Sequence, residues 1–450
     1  MGSASRKAAL IALIAIIACG SFAGKSATAA KLNILHSFCQ EGCSDGERAF
    51  RGLATDGSGN FFGVTYYGGK FGQGTVFELR HRRHNFRFHS LHSFSGKDGQ
   101  NPYSSLVVDT QGNLYGVTLQ GGGHRNPGVV FELSPGQGKA GHKWAERILH
   151  SFCSENSCKD GANPTTSLTY AGMASGALYD GVSPLFGTTE SGGRNDAGTA
   201  FELTMNGDQW SETVIHNFCS RGGCLDGKFP ESSLIPDQAG NLYGTTFVGG
   251  PNNQQVPGGA GVAFELLINN AWSETVLYNF CQAANCLDGV APQGNLAIDA
   301  IGNLYGITSG GGVPSKACPS GCGVIFKLVP DGADSTISIL HSFCSKTDCR
   351  DGSSIYEGVV LDSSGNLFGT TQFGGGNDID QFHEGGGVVY ELTGSSYKVL
   401  HRFCSLANCA DGANPFTDLV LGRSGNLYGT TAYGGAYGQG AVFEIKPRNK

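Results

Sequence analysis

The sequence predicts an all-β protein, a seven-bladed β-propeller of four-stranded antiparallel blades. Three observations predict it. One ordered set of phrases occurs seven times, each copy holds four short strand-like runs, and the two ends of the array are offset by one strand.

The phrase Leu-His-Ser-Phe aligns the copies. Its second position falls at His36, His92, His150, His216, Tyr278, His341 and His401, at spacings of 56 to 66 residues. An Asp-Gly pair follows each time, at Asp45, Asp98, Asp160, Asp226, Asp288, Asp351 and Asp411. Next come Gly-Asn-Leu-Tyr-Gly-x-Thr (clearest at 112–118, 240–246, 302–308 and 425–431), a Gly-Gly pair, and a closing Val-Phe-Glu-Leu or near variant. The 72 glycines recur at fixed places without a G-X-Y period, which assigns them to turns and excludes collagen.

In the second copy, residues 105–109 form a short β-branched run and 110–112 a turn in which Gly112 supplies positive φ. Residues 113–118, 128–133 and 144–152 read as the second, third and fourth strands. No stretch after the N-terminal segment carries a 3.6-residue apolar period. The array opens on a lone fourth strand, 32–38, and closes on a third strand, 441–445, that lacks its fourth. A ring closed by the N-terminal strand completing the last blade removes two exposed sheet edges; an open β-solenoid gains nothing from that offset. The propeller domain is expected over 32–445, with a short tail at 446–450.

Residues 1–29 read as a secretory signal, with Arg6 and Lys7 before an apolar run at 8–18 and an A-x-A pattern at 27–29. A second reading stays open: residues 16–19 resemble a lipobox, which would make Cys19 a lipidation site. No other run is long enough to span a bilayer as a helix, and no C-terminal sorting segment is visible, so any anchor is expected at Cys19. The expected location is secreted, periplasmic or cell-surface. The net charge is −7, and without residues 1–29 it becomes −10, with 27 basic and 37 acidic residues. That balance argues against general nucleic-acid binding.

Fourteen cysteines beyond Cys19 fall into seven close pairs: Cys39 with Cys43, Cys153 with Cys158, Cys219 with Cys224, Cys281 with Cys286, Cys318 with Cys322, Cys344 with Cys349 and Cys404 with Cys409. Six pairs share one position after the Leu-His-Ser-Phe strand; the second copy has none there. An even count in an exported chain predicts disulfides. The rival reading, a metal, is disfavoured because one pair offers two thiolates where a structural zinc wants four ligands.

The phrases resemble the GloVer tandem repeat, a family of exported bacterial "choice-of-anchor" proteins. Residues 425–431, Gly434-Gly435 and 441–445 carry the match best, and the likeness extends over nearly all of 32–445. The resemblance implies a bacterial cell-surface or secreted location. It carries no established activity with it, and no cofactor is expected.

Residues kept in every copy are expected to build blades. The Asp-Gly aspartates are read as turn formers, the repeated histidines as packed or bonded between blades, and the Glu of Phe-Glu-Leu as structural. Departures are freer to serve a ligand. Loops joining second and third strands lengthen in three consecutive blades, at 247–261, 309–323 and 372–387. The third holds Asp378, Asp380, His383 and Glu384, the densest ionisable set in these loops and the candidate binding residues. Neutral loop drift is the alternative. The basic run Arg80, His81, Arg82, Arg83, His84 and Arg87 reads as a solvated loop, and an insertion at 171–184 as a simple loop extension. No G-x-S-x-G, H-E-x-x-H or P-loop is present. The expected function is a non-catalytic binding module at the cell exterior, a monomer whose unknown ligand is a glycan or a protein. The alternatives are a glycan- or small-molecule-processing enzyme on the long-loop face, and a structural surface protein.

Overall fold

The computed structural model describes residues 30–447 except 84, 124, 137–142, 253, 270 and 377–384. Among these the chain forms seven separate antiparallel sheets and no α-helix. The first blade is Ala54–Thr55, Phe61–Thr65, Thr75–Arg82 and Asn85–Ser93, each strand paired with the next. In the second and fourth blades the innermost strand is split into two short pieces that pair with the same neighbour. The last blade is Val420–Leu421, Leu427–Thr431 and Ala441–Lys446, with Lys31–Ser37 as its outer strand. That pairing runs antiparallel from Lys31↔Lys446 to Ser37↔Ala441. No helix among the described residues is long and apolar enough to cross a membrane.

One aromatic contact joins every blade to the next. The Phe of Leu-His-Ser-Phe meets the aromatic residue of Val-Phe-Glu-Leu in the following blade. The pairs are Phe38–Phe77, Phe94–Phe131, Phe152–Phe201, Phe218–Phe264, Phe280–Phe326, Phe343–Tyr390 and Phe403–Phe443, with ring centroids 5.0 to 5.4 Å apart. All these rings are fully or almost fully buried. Edge-to-face packing of this kind adds about 0.5–1.5 kcal/mol per pair beyond area burial. It also explains the glycine of Leu-Tyr-Gly: a Cβ on Gly63 would lie 2.5 Å from Phe77 Cζ.

The crossovers carry the second repeated device. The aspartate of each Asp-Gly receives backbone N–H groups of its own crossover, as Asp226 does from Ser220 and Arg221. It also meets the repeated histidine, at 2.9 Å for His36–Asp45 and 3.7 Å for His216–Asp226. In the one copy with tyrosine, the Tyr278 hydroxyl donates to Asp288 at 2.7 Å. Histidine and aspartate, expected as separate scaffold residues, are thus one unit, and His36 and His341 also stack on Phe88 and Tyr397 of the next blade. The glycine after the aspartate has positive φ and no room: a Cβ on Gly227 would lie 2.2 Å from Thr246 Oγ1.

All seven predicted disulfides are formed. Cys39 is bonded to Cys43, Cys153 to Cys158, Cys219 to Cys224, Cys281 to Cys286, Cys318 to Cys322, Cys344 to Cys349 and Cys404 to Cys409. In five crossovers a single 3-10 turn ends on the second cysteine of the bridge, at Cys158, Cys224, Cys286, Cys349 and Cys409. The first blade's crossover has no such turn, and there Cys43 has positive φ and its carbonyl accepts from Gly46 and Gly69. In the second blade, which lacks the bridge, Ser95 backbone and hydroxyl both donate to Asp98. In five blades the hairpin turn between first and second strands is held by an Asp–Asn pair; Asp109, for instance, accepts from the Gln111 and Asn113 backbone and from the Asn113 amide.

Truncating Phe218 to Ala should cost roughly 3–5 kcal/mol, because it empties the contact with Phe264 at a closed interface. Urea unfolding of the variant measures this, and a cost below about 1 kcal/mol would contradict a tightly closed ring. The crossovers also set a pH profile. Burial pushes Asp98 up, but hydrogen bonds from His92 and Ser95 prevail and hold it at about 2. Its folded value is depressed, so its stability contribution is present above about pH 4 and lost as pH falls toward 2. Glu212 is pushed up to about 8 by burial and then by Asp160 and Glu155. Its folded value is raised, so its contribution is present below about pH 4.5 and lost as pH rises toward 8. Thermal melts should therefore be highest near pH 4–5, and Glu212→Gln should flatten the alkaline side.

Candidate functional site

After each Asp-Gly the chain turns down the propeller axis. The fifth residue after the aspartate is Phe50, Tyr103, Thr165, Glu231, Gln293, Tyr356 and Phe416 in the seven blades, and all seven line one axial pocket of about 660 Å³. Residues at the ends of the second strands, Tyr66, Leu119, Glu190, Phe247 and Ser309, form its upper wall. The pocket therefore opens on the face that carries the second-to-third-strand loops and the crossovers. Its size falls in the range of small-molecule sites.

The pocket has two chemically different halves. Blades six, seven, one and two supply aromatic rings: Tyr356 stacks on Phe416 at 5.4 Å, Phe50 meets Phe416 at 5.8 Å and Tyr66 at 5.4 Å, and Tyr66 meets Tyr103 at 5.7 Å. The aromatic surface continues outward through Tyr67, 4.6 Å from Tyr66, to the Arg48 guanidinium held between Tyr67 and Tyr433. Blades three, four and five supply Thr165, Glu190, Glu231 and Gln293. The Glu190 and Glu231 carboxyls take no hydrogen bond or ion pair among the described residues. Burial pushes Glu231 up to about 7, with Glu190 adding to the rise and Arg51 opposing it; burial raises Glu190 as well. Gln293 is 6 % exposed, and its Nε2, like Thr165 Oγ1, is buried without a partner.

The floor is an ion pair across the axis. Arg51 Nη1 lies 2.6 Å from Glu357 Oε1, and Nη2 donates to Thr165 O at 3.1 Å. The guanidinium sits 4.2 Å over the Tyr103 ring. Burial pushes Glu357 up and Arg51 opposes it, while the arginine keeps its proton. Below this, Asn295 Nδ2 donates to Asp418 Oδ2 at 2.6 Å, again across the axis. Around the same level the blades are strung together: Ser105 N to Ser167 Oγ, Ser167 N to Ser233 Oγ, Ser233 N to Asn295 Oδ1 and Gly358 N to Asp418 Oδ1. The axial channel is thus closed beneath the pocket.

A second cavity, about 420 Å³, lies beyond the plug toward the opposite face. It is lined by the eighth residues after the aspartates, among them Leu53, Leu168, Leu296 and Leu419. The 171–184 insertion, expected as a simple extension, folds onto this mouth: Met173, Ala174 and Leu178 line the cavity, and Tyr179 is buried with its backbone bonded to the second blade at Val108 and Thr110.

The sequence-predicted binding residues Asp378, Asp380, His383 and Glu384 lie outside the described residues, as do Cys19 and the 1–29 signal. The other two long loops are described in most part. They lean on the crossover bridges of their own blades: Val256 packs on the cluster of Cys281 and Cys286, and Cys318 on that of Cys344 and Cys349. Only their first residues, Phe247 and Ser309, reach the axial pocket. In the basic run, Arg80 is bonded to Glu78 and lies apart from the pocket. Among the described residues, Cys318, Cys322 and Cys344 are the one group of three side chains close enough to share a metal ion, and all three are in disulfides.

The repeat phrases and the blades they build match one family over residues 24–184, 171–348 and 312–450. The chain belongs to the Gloeobacter/Verrucomicrobia repeat family. No curated protein matches it in sequence. Among solved structures, this repeat-family chain is similar to the β-propeller domain of Cps50 (Swd1) from Myceliophteria thermophila, at 10 % identity and a TM-score of 0.51, covering 93 % of this chain and 100 % of that one. It is also similar to the polysaccharide lyase Uly1, at 10 % identity, TM-score 0.48 and coverage of 88 % and 90 %. A luciferin-regenerating enzyme matches at 11 % identity, TM-score 0.41 and coverage of 93 % and 95 %. At these identities the likeness is one of fold.

The axial ion pair makes a prediction that separates charge from packing. Arg51→Met leaves Glu357 and Asp418 without their cation and should cost roughly 3–5 kcal/mol, whereas Arg51→Met with Glu357→Leu should recover most of that loss. Chemical denaturation of both variants decides it; equal losses would mean that the pair acts through shape alone.

Proposed function

We propose that this protein is an exported, non-catalytic binding module whose ligand site is the axial pocket. The observation that carries the reading is the convergence there of one side chain from each blade at a position where the copies differ, on a scaffold whose repeat phrases are kept. The partnerless buried atoms of Gln293 and Thr165 support it. Such groups cost about 1–3 kcal/mol each when left unsatisfied, which a ligand bringing its own polar atoms offsets. Aromatic rings on one wall and polar groups on the other suit a compact molecule with an apolar face and a polar edge. The seven disulfides support an oxidising compartment outside the cytosol.

A second reading, an enzyme acting on a glycan or small molecule, is favoured by one observation. Glu231, held up at about 7 beside Glu190, has the protonation range of a general acid.

A thermal-shift and calorimetric screen of sugars and metabolites tests both. Gln293→Leu should leave stability unchanged or raised by up to about 1 kcal/mol, while weakening the discovered ligand about tenfold or more. A ligand whose affinity ignores Gln293→Leu binds elsewhere and removes the axial-pocket reading. Chemical conversion of the bound ligand, lost in Glu231→Gln, would favour the enzyme.

A further inference from the structure

We propose that the axial pocket takes an organic cation, an ammonium group set against the aromatic wall and paired with Glu190 and Glu231. This rests on the reading that the pocket is the ligand site, and it names the chemistry of the occupant. The first argument is a count of charge. Four carboxyl groups, Glu190, Glu231, Glu357 and Asp418, stand around the axis against Arg51, with Arg48 at the rim. Arg51 is committed to Glu357 at 2.6 Å, and Arg48 is held between Tyr67 and Tyr433. Glu190 and Glu231 remain without an ion-pair partner among the described residues; burial makes both reluctant to ionise, and Glu190 adds to the effect at Glu231.

The second argument is the wall opposite them. Phe50, Tyr66, Tyr103, Tyr356 and Phe416 form a continuous aromatic surface, and ring faces attract cations most when water is excluded. The protein already uses this wall for a cation of its own, since the Arg51 guanidinium lies 4.2 Å over Tyr103. The third is independent of charge. Gln293, 6 % exposed, keeps an unpartnered Nε2 at the pocket wall, which asks for an acceptor on the same ligand. An amino sugar and a hydroxylated quaternary ammonium compound both combine an acceptor with a cation. A metal ion fits less well, because these carboxyls do not form a set of three ligands within reach of one ion among the described residues.

The pH dependence has a definite sign. The groups facing Glu231 are Glu190, which burial also raises, Arg51, which keeps its proton, and Tyr103, which burial pushes up to about 12. Below about pH 7 Glu231 is largely neutral, and a cation finds no partner there. A cation that binds lowers the carboxyl pKa and expels a proton, so its affinity must rise with pH through that range.

Isothermal titration of the whole chain tests this with matched probes: choline against its uncharged isostere 3,3-dimethylbutanol, and glucosamine against glucose. The expected result is at least about tenfold preference for one charged member of a pair, rising with proton release from about pH 5 to about pH 7, and on to about pH 8 for choline, whose charge does not titrate. Glu231→Gln, isosteric and with an unchanged melting temperature, should remove about tenfold of the cation's affinity and leave the neutral probe's unchanged; Glu190→Gln serves as the second variant. The choline and glucosamine arms distinguish a quaternary from a primary ammonium. Equal binding of charged and neutral probes, with sensitivity to Gln293→Leu, overturns the cation inference and keeps the pocket. Cation binding indifferent to Glu190, Glu231 and Gln293 overturns both. No binding of either cation at millimolar concentration overturns the inference.

Discussion

The structure depends on one contact made seven times, the edge-to-face or tilted pair between the Phe that follows one blade's outer strand and the aromatic residue in the next blade's third strand. Four-stranded sheets of this size are marginal alone, and their twisted faces become stable by covering one another. A closed ring demands the same geometry at every interface, because an error at one angle accumulates around the circle. That demand fixes the phrases: the Phe pair requires a glycine in the second strand, and the next crossover requires an aspartate, a glycine and a histidine or tyrosine to hold its backbone. The N-terminal strand enters the last blade with the same register slip between Ile34 and His36 that the other outer strands show at the equivalent point.

The same constraint separates scaffold from site. A residue repeated seven times is committed to closure and cannot answer to a ligand that breaks the sevenfold symmetry. Specificity must come from positions where the copies disagree. The fifth residue after the aspartate is such a position, with two Phe, two Tyr, a Thr, a Glu and a Gln across the blades. Propeller geometry brings all seven to one axis, so differences scattered over more than 350 residues of chain become adjacent in space.

That convergence marks what the sequence could and could not tell. Blades, offset ends and cysteine pairs were legible because each rests on local signals: period-two strands, turn glycines and short spacings. The His–Asp unit was half legible. Each member was recognisable as scaffold, but their bond joins an outer strand to a crossover and needs the fold to be seen. The axial pocket is legible only when the copies are compared column by column, because its lining residues lie far apart in the chain; loop length marks 247–261, 309–323 and 372–387, and Asp378, Asp380, His383 and Glu384 lie outside the described residues. Arg51 and Glu357 stand out only in the same column comparison. They stand at the same position of the first and sixth copies, where other copies have Ser, Thr or Gly, and their partnership exists only across the axis.

The electrostatics of the axis runs against stability, and that is informative. Glu357 and Asp418 are buried and raised by desolvation, and Glu231 and Glu190 are raised without a compensating hydrogen bond among the described residues. Apolar residues would serve the fold better at these points, as the Leu and Val ring of the second cavity demonstrates a few ångströms along the same strands. The seven aromatic interfaces and seven disulfides supply the surplus stability that lets such groups persist. One mouth of the axis is lined mainly with apolar side chains and flanked by the 171–184 insertion, while the other keeps partnerless polar atoms and carboxyls beside aromatic faces. The two mouths share strands, repeats and symmetry, so the difference between them is set by the side chains at the positions where the copies disagree.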